Sequence, residues 1–326
     1  MTGREGGIAE QASSPVRHRV LGAVRQRASV AGRGAANRHG RRGRRRIAVR
    51  AVRDGLSIGG LLILVLYLVP SPGWDVLAYW GVNAARPYWG VVGTPSAFLY
   101  SPVAALIALP LHLIPFALFR LLWLVLDLAC LWWLAGPWAL AWICFVPVAQ
   151  DMFTGNIDLL LAAAVVAGFR YPAAWSFVVL TKVTPAIGLL WFAVRREWRS
   201  LAIALGVTAA LSIASLVLVP AWWVDWARTL EESTTVSTGP GWFGGSIWVP
   251  LWPRLPLAAG MVAWGAITNR RWTVPVAGLL AIPAFWSMSL AMLVGVAPLV
   301  SGGRAAKAGF PGARVSAAPS TRFVRE

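Results

Sequence analysis

The chain has 326 residues, 58% of them hydrophobic and only 13% charged, with a formal net charge of +18. An ordinary soluble domain carries about 25% charged residues, and the apolar excess here comes as consecutive runs rather than spaced core positions. That excludes a soluble globular enzyme and, since strands of about ten alternating residues are missing, an outer-membrane barrel. The composition predicts an all-α, polytopic transmembrane helical bundle.

Residues 1–54 hold 14 Arg against three acidic residues, so most of the positive charge sits in one tail. With so little apolar surface to offset the entropy of ordering, this stretch is expected to be a disordered cytoplasmic tail. Its densest part, Arg41 to Arg46, fits a segment that lies on lipid headgroups and sets orientation better than one that binds nucleic acid. The first span is expected at about residues 55–70. Further apolar runs follow at about 97–115, 116–135, 138–149, 157–169, 172–194, 199–220, 246–267 and 272–300, giving about nine or ten spans. The membrane domain is thus 55–300, and 301–326 form a disordered basic C-terminal tail.

Charge orients these runs. The loops Arg195-Arg196-Glu197-Trp198-Arg199 and Asn269-Arg270-Arg271 are strongly basic and are expected to be cytoplasmic. This places the stretch after the first span, and the longer loop at 221–245, on the external face. The runs 138–149 and 157–169 are too short to span comfortably and read as a re-entrant pair, with the turn from Gln150 to Asp158 lining a cavity. Pro283 makes 272–300 either one kinked span or two short ones.

Ionisable groups inside apolar runs are costly and mark function or pairing. Asp127 and Lys182 fit either a buried ion pair with each other or, for Lys182, a cation that holds a phosphate beside the helix break at Pro185. His112 reads as a packed or interfacial residue. Asp75 stands in the first external loop among Trp74, Tyr79 and Trp80, with Arg86 shortly after it. Glu231 and Glu232 read as solvated loop residues, Asp225 as a weaker candidate acid than Asp75 because nothing else around it converges, and most Trp side chains as an interfacial belt. Cys130 and Cys144 read as buried thiols, and no metal-ligand spacing is present. A solvated or helix-capping role suits Asp151 and Asp158 better than cation binding.

The ordered set Asp75-x3-Tyr79, Arg86-Pro87-Tyr88, Phe98-x-Tyr100-x-Pro102, Gly155-Asn156-x-Asp158 and Thr181-Lys182-Val183-Thr184-Pro185 resembles the polyprenol-phosphate-mannose-dependent glycosyltransferases of family eighty-seven, integral membrane enzymes of the GT-C fold. The resemblance covers about residues 55–300. The family's Tyr-Pro-Pro-like element reads Tyr100-Ser101-Pro102 here, and its Gly-Gln-x-Asn-like turn reads Gly155-Asn156-Ile157-Asp158. The resemblance implies inverting transfer of a hexose, mannose first, from a polyprenyl-phosphate donor to an envelope glycolipid or glycan acceptor on the external face. Carried over, Asp75 is the base, while Tyr79, Arg86, Tyr88, Tyr100, Asn156, Asp158 and Lys182 bind substrate, with no metal and no cofactor. Two other readings fit a polytopic chain of this kind: a lipid or solute transporter, and a non-catalytic subunit of an envelope complex.

Overall fold

A computed structural model describes residues 45–94, 97–235, 250–283 and 285–305. The tail before residue 45, the second half of the 221–245 loop with Trp242, and the C-terminal tail from 306 lie outside the described residues. The chain divides into two units, Met1–Gly55 and Leu56–Glu326. In the first, residues 45–54 are helical and Arg53 pairs with Asp54 at 2.6 Å. The expected tail therefore becomes helix earlier than 55, because Ile47, Val49 and Val52 already supply apolar positions. The second unit holds everything that follows.

The described residues form an all-α protein with no β-strand. In chain order the helices are α1 (Arg45–Leu68), α2 (Trp74–Trp80), α3 (Pro102–Ala108), α4 (Phe116–Ala135), α5 (Ala139–Trp142), α6 (Val146–Thr154) and α7 (Asp158–Gly168). There follow α8 (Trp175–Thr181), α9 (Leu190–Val194), α10 (Trp198–Leu218), α11 (Pro220–Thr235), α12 (Leu251–Ile267), α13 (Thr273–Ala281) and α14 (Val296–Ala305).

Among the described residues three stretches, Arg45–Leu68, Phe116–Trp142 and Trp198–Leu218, are long and apolar enough to cross a membrane as single helices. A fourth arises if α6 and α7, bent by 106°, count as one broken span. The remaining runs are helical but divided, and proline divides most of them. Pro110 opens a 3₁₀ segment after α3, Pro172 opens the 3₁₀ turn before α8, and Pro185 sits at the start of the 3₁₀ segment Thr184–Leu189. Each lacks an N–H and crowds the preceding turn, so a continuous α-helix stops there. Around Pro283 the last run becomes two pieces, α13 and a 3₁₀ segment Ser287–Gly295 leading into α14.

Such breaks free backbone carbonyls, which must find donors at membrane depth. At the Pro283 break the donor is Arg254 of α12. Its guanidinium reaches the carbonyls of Leu280 (3.1 Å), Ile282 (2.7 Å) and Pro283 (3.0 Å).

Helix α4 shows how a mostly apolar helix sorts its faces. Phe119, Arg120, Leu124, Asp127, Leu131 and Leu134 are buried, at alternating steps of mostly four and three along one stripe. Leu121, Leu122, Val125, Leu126, Trp132 and Trp133 are exposed, as suits contact with lipid. The polar groups are the ones turned inward, the arrangement expected when the surroundings offer no water. Two apolar cores lie inside the bundle. One gathers Trp175, Trp191, Phe192, Val274 and Met292, the other Leu131, Ile143, Met152 and Leu159.

The stretch expected as an external loop at 221–245 begins instead as α11. Trp222 is buried, and Trp226 donates its indole N–H to the Leu99 carbonyl at 3.0 Å. Of the aromatic residues that suggested a loop at an interface, Trp222, Trp223 and Trp226 are packed on a helix. Cys130 and Cys144 are half-buried free thiols rather than fully buried ones. His112 is exposed, its ring nitrogen against the Leu109 carbonyl.

Candidate active site

The site begins where α1 ends. The chain leaves α1 at Leu68, turns through Ser71, and enters α2 at Gly73. Gly73 has φ +60°, and a Cβ there would collide with the side chain of Arg120, so only glycine fits both the backbone and the space. Arg120 fastens this turn. One of its terminal nitrogens donates to the carbonyls of Leu68 (3.1 Å) and Met152 (3.2 Å) and to Ser71 Oγ. The end of α1 and the end of α6 are thereby tied to one arginine.

Helix α2 carries Asp75 in its first turn and buries Val76 and Tyr79. Val76 packs against the C-terminus of α6, where Gly155 closes the helix at φ +74°. A Cβ on Gly155 would stand 2.1 Å from Val76 Cγ2. Gly155 thus supplies both the left-handed helix end and the close approach. That approach brings the next residue, Asn156, to Asp75.

Asn156 is the hinge of the polar cluster. Its Nδ2 donates to Asp75 Oδ2 at 2.8 Å. Its Oδ1 accepts from Lys182 Nζ at 3.1 Å and from the Ile157 backbone N–H at 2.7 Å. Lys182 Nζ also donates to Asp158 Oδ1 at 2.6 Å. With both ends of the amide committed, its orientation follows from its partners. A carboxylate and an ammonium therefore face each other across a single amide.

Asp158 is fully buried and Lys182 nearly so, with 18% of its side chain accessible. Lys182 is the residue at which α8 stops, in extended backbone, two residues before the start of the Thr184–Leu189 segment. Its carboxylate partner is Asp158, so of the two alternatives open in the sequence the pairing with Asp127 is not formed. Asp127 lies two turns from Arg120 on the same α4 stripe, both its oxygens buried without hydrogen bonds. Asp151 caps: its Oδ2 accepts from the Leu159 backbone N–H at 3.3 Å.

An aromatic wall adjoins the cluster. Tyr79 Oη lies 3.3 Å from Tyr100 Oη, and Tyr88 Oη donates to the Tyr100 carbonyl at 3.2 Å. Tyr79 stacks at a tilt on Trp123, 4.8 Å between centroids, and Phe98 meets Tyr100 edge-on. Burial pushes the Tyr79 hydroxyl well above its usual pKa, with Tyr100 and Asp75 beside it adding to the shift, so it stays a neutral hydroxyl.

Burial is also the main influence on Asp75, raising its carboxyl to about 6, while Asn156, Thr154 and Lys182 pull the other way. A carboxylate so placed is mostly ionised at neutral pH yet is a better proton acceptor than a solvated one.

Asp75, Tyr79, Tyr88, Tyr100, Asn156, Asp158 and Lys182 are thus brought together. Arg86 is not. It is exposed on the loop after α2, where its backbone N–H bonds Asn83 Oδ1 at 2.9 Å. Arg120 is the residue the sequence reading missed. Its spacing of seven from Asp127, on an otherwise apolar helix, was the available signal. Among the described residues no group of three His, Cys, Asp or Glu side chains is placed to hold a metal ion.

The comparison with known families now bears on this geometry. The model of glycosyltransferase family 87 matches residues 98–302. The chain belongs to glycosyltransferase family 87. The match takes in Tyr100, Asn156, Asp158 and Lys182; Asp75 lies upstream of it and joins them through the fold. Among curated proteins, the chain is 29% identical over 149 residues to a polyprenol-phosphate-mannose-dependent alpha-(1-2)-phosphatidylinositol pentamannoside mannosyltransferase of Mycobacterium tuberculosis, covering 38% of this chain and 35% of that one. It is 26% identical over 149 residues to the protein of the same name from Mycolicibacterium smegmatis, covering 39% and 36%. The match to this family-87 member therefore spans about a third of the length of those relatives. No solved structure matches it.

Proposed function

We propose that this family-87 member transfers a hexose, mannose by analogy with the names of its relatives, from a polyprenyl-phosphate donor to an envelope glycolipid or glycan acceptor. The observation that carries the proposal is the Asp75–Asn156–Lys182 bridge, which sets one proton acceptor and one cation side by side beneath an aromatic wall.

An acceptor hydroxyl must lose its proton as its oxygen attacks the anomeric carbon. Asp75, with a pKa near 6, takes that proton. The bond from the anomeric carbon to the phosphate oxygen breaks on the opposite face, which inverts the configuration. The lipid phosphate leaves without a proton, so the site needs one base and a compensating positive charge rather than a second acid. Lys182 supplies the charge. Asp158 keeps it ionised and aimed, and Asn156 holds it at a fixed place relative to the base. Tyr79 and Tyr100 present a ring face and neutral hydroxyls, the combination that packs against a sugar. In this reading Arg86, on the exposed loop, meets the donor phosphate only from outside the cluster. The external-face assignment rests on the charge pattern: the basic loops at 195–199 and 269–271 belong to the cytoplasmic side.

The test is to supply purified protein in nanodiscs with polyprenyl-phosphate-mannose and mycobacterial phosphatidylinositol mannosides, and to analyse the lipids by mass spectrometry. An acceptor gaining one hexose, with free polyprenyl phosphate released, supports the proposal. A donor that redistributes between leaflets while no acceptor gains mass overturns it in favour of transport.

A further inference from the structure

Away from the polar cluster, α7 runs from Asp158 to Gly168 and α8 returns to Lys182. At about 1.5 Å per residue, the turn between them lies roughly 16 Å or more from the cluster. This far end gathers three short loops. Arg271 lies over the ring of Phe169 at 5.2 Å, which joins the α7–α8 turn to the α12–α13 turn. Arg195 donates to the Ala266 carbonyl at 3.1 Å, which joins the α9–α10 turn to the same place.

The three loops together present Arg170, Arg195, Arg196, Arg199, Arg270 and Arg271, all exposed except the half-buried Arg271. Against them stands one carboxylate, Glu197, which is bonded to Arg195 at 2.7 Å. No other acidic residue lies between 159 and 224, or between 233 and 325.

Four of the six arginines, Arg271 among them, lie over aromatic rings. Arg170 lies over Tyr171 (5.3 Å), Arg195 over Trp191 (5.5 Å) and Arg270 over Trp264 (4.9 Å). Two of the loops also turn through left-handed non-glycine residues, Arg196 and Asn269, both at φ 57°. A guanidinium braced on a ring loses little further freedom when it binds, and its planar fork suits two oxygens of one phosphate. Trp198 (61% exposed) and Ile267 (77%) project beside the charges, placed to enter the acyl boundary.

We propose that this end is a binding site for the headgroup of an anionic phospholipid, with the three loops converging on one phosphodiester. Bracing, charge excess and flanking apolar side chains go beyond a loop that merely happens to be basic, because together they specify a phosphate at the water–acyl boundary. The site is separate from the polar cluster and does not depend on the sugar-transfer reading.

The experiment uses the full chain in nanodiscs of phosphatidylcholine alone or with phosphatidylglycerol, and reads the melting temperature and retained lipid by native mass spectrometry. The probes are phosphatidylglycerol and, as the soluble counterpart, glycerol-3-phosphate. The proposal expects phosphatidylglycerol to raise the melting temperature by several degrees and to be retained at about tenfold over phosphatidylcholine, with glycerol-3-phosphate inert.

The combined variant R170Q/R199Q/R270Q should lose both effects while melting normally in phosphatidylcholine. R170K/R199K/R270K, which keeps the charge but not the fork, should keep part of the retention. Equal retention by wild type and the glutamine variant overturns the proposal, as does equal stabilisation by glycerol-3-phosphate, which would indicate a site for free phosphate. Misfolding of the glutamine variant with a well-folded lysine variant that binds no better than neutral lipid also overturns it.

Discussion

The two ends of the α7–α8 pair use charge in opposite ways. At one end, Lys182 is withdrawn from solvent and shared between Asp158 and Asn156, whose amide also holds Asp75. At the other, six arginines gather, five of them exposed, with one carboxylate among them. Buried charges must be paired because an unmatched ion at depth costs several kcal/mol, whereas exposed ones are screened and contribute little to folding. The difference teaches where substitutions should damage the fold, where they should damage chemistry alone, and where they should touch only the membrane contact.

The largest effect is expected at the buried end. Lys182→Met leaves the Asp158 carboxylate buried without its cation, and should cost about 3 kcal/mol or more in stability. The double variant Lys182→Met/Asp158→Leu should recover much of that, which thermal unfolding in nanodiscs would read as strong coupling between the two sites.

Next comes Gly155→Ala, at a left-handed position with Val76 pressed against it, which should cost about 1–3 kcal/mol and pull Asn156 away from Asp75. Asn156→Ala should fold but lose roughly 10- to 100-fold in turnover. It also removes a hydrogen bond that lowers the Asp75 pKa. Because the base works deprotonated, wild-type turnover should fall as pH drops through about 6, and in Asn156→Ala that acid limb should move to higher pH. A limb that stays in place would separate Asn156 from the base.

The smallest effect on folding is expected at exposed Arg86. Arg86→Ala should change stability by less than about 0.5 kcal/mol, and a rise in the donor KM without a change in kcat would mark it as a donor contact.

The all-α membrane class was legible in the sequence, and so were most of the polar residues that the structure gathers into one cluster. Asp75, Asn156, Asp158 and Lys182 could be picked out because each is a polar residue in an apolar chain, at spacings that a known family shares. The partner of Lys182 could not be read. Asp127 and Asp158 are both isolated acids in apolar runs, and it is the return of α8 along α7 that brings Lys182 to Asp158, just past the 106° bend between α6 and α7. That bend was itself legible in the shortness of the two runs and the glycine between them.

Arg120 escaped because it stands near the start of a span, where an arginine ordinarily reaches for the interface. Here Gly73 opens the space that lets it turn inward. Helix α11 was mistaken for a loop because its tryptophans matched the expected interfacial belt, and an indole packed on a neighbouring carbonyl looks the same in sequence as one at a headgroup. Hydropathy also merged segments that proline divides, since a 3₁₀ turn of apolar residues is as hydrophobic as the helix it interrupts.

The central claim is that Asp75 is the base and not a structural carboxylate. Its raised pKa means that ionised Asp75 is a burden on the fold at neutral pH, so a neutral isostere should relieve it. Asp75→Asn, which still accepts from Asn156, should therefore melt at the wild-type temperature or above it. Its transfer of mannose from polyprenyl-phosphate-mannose should fall by at least about 100-fold. Turnover close to wild type in that well-folded variant would contradict the account.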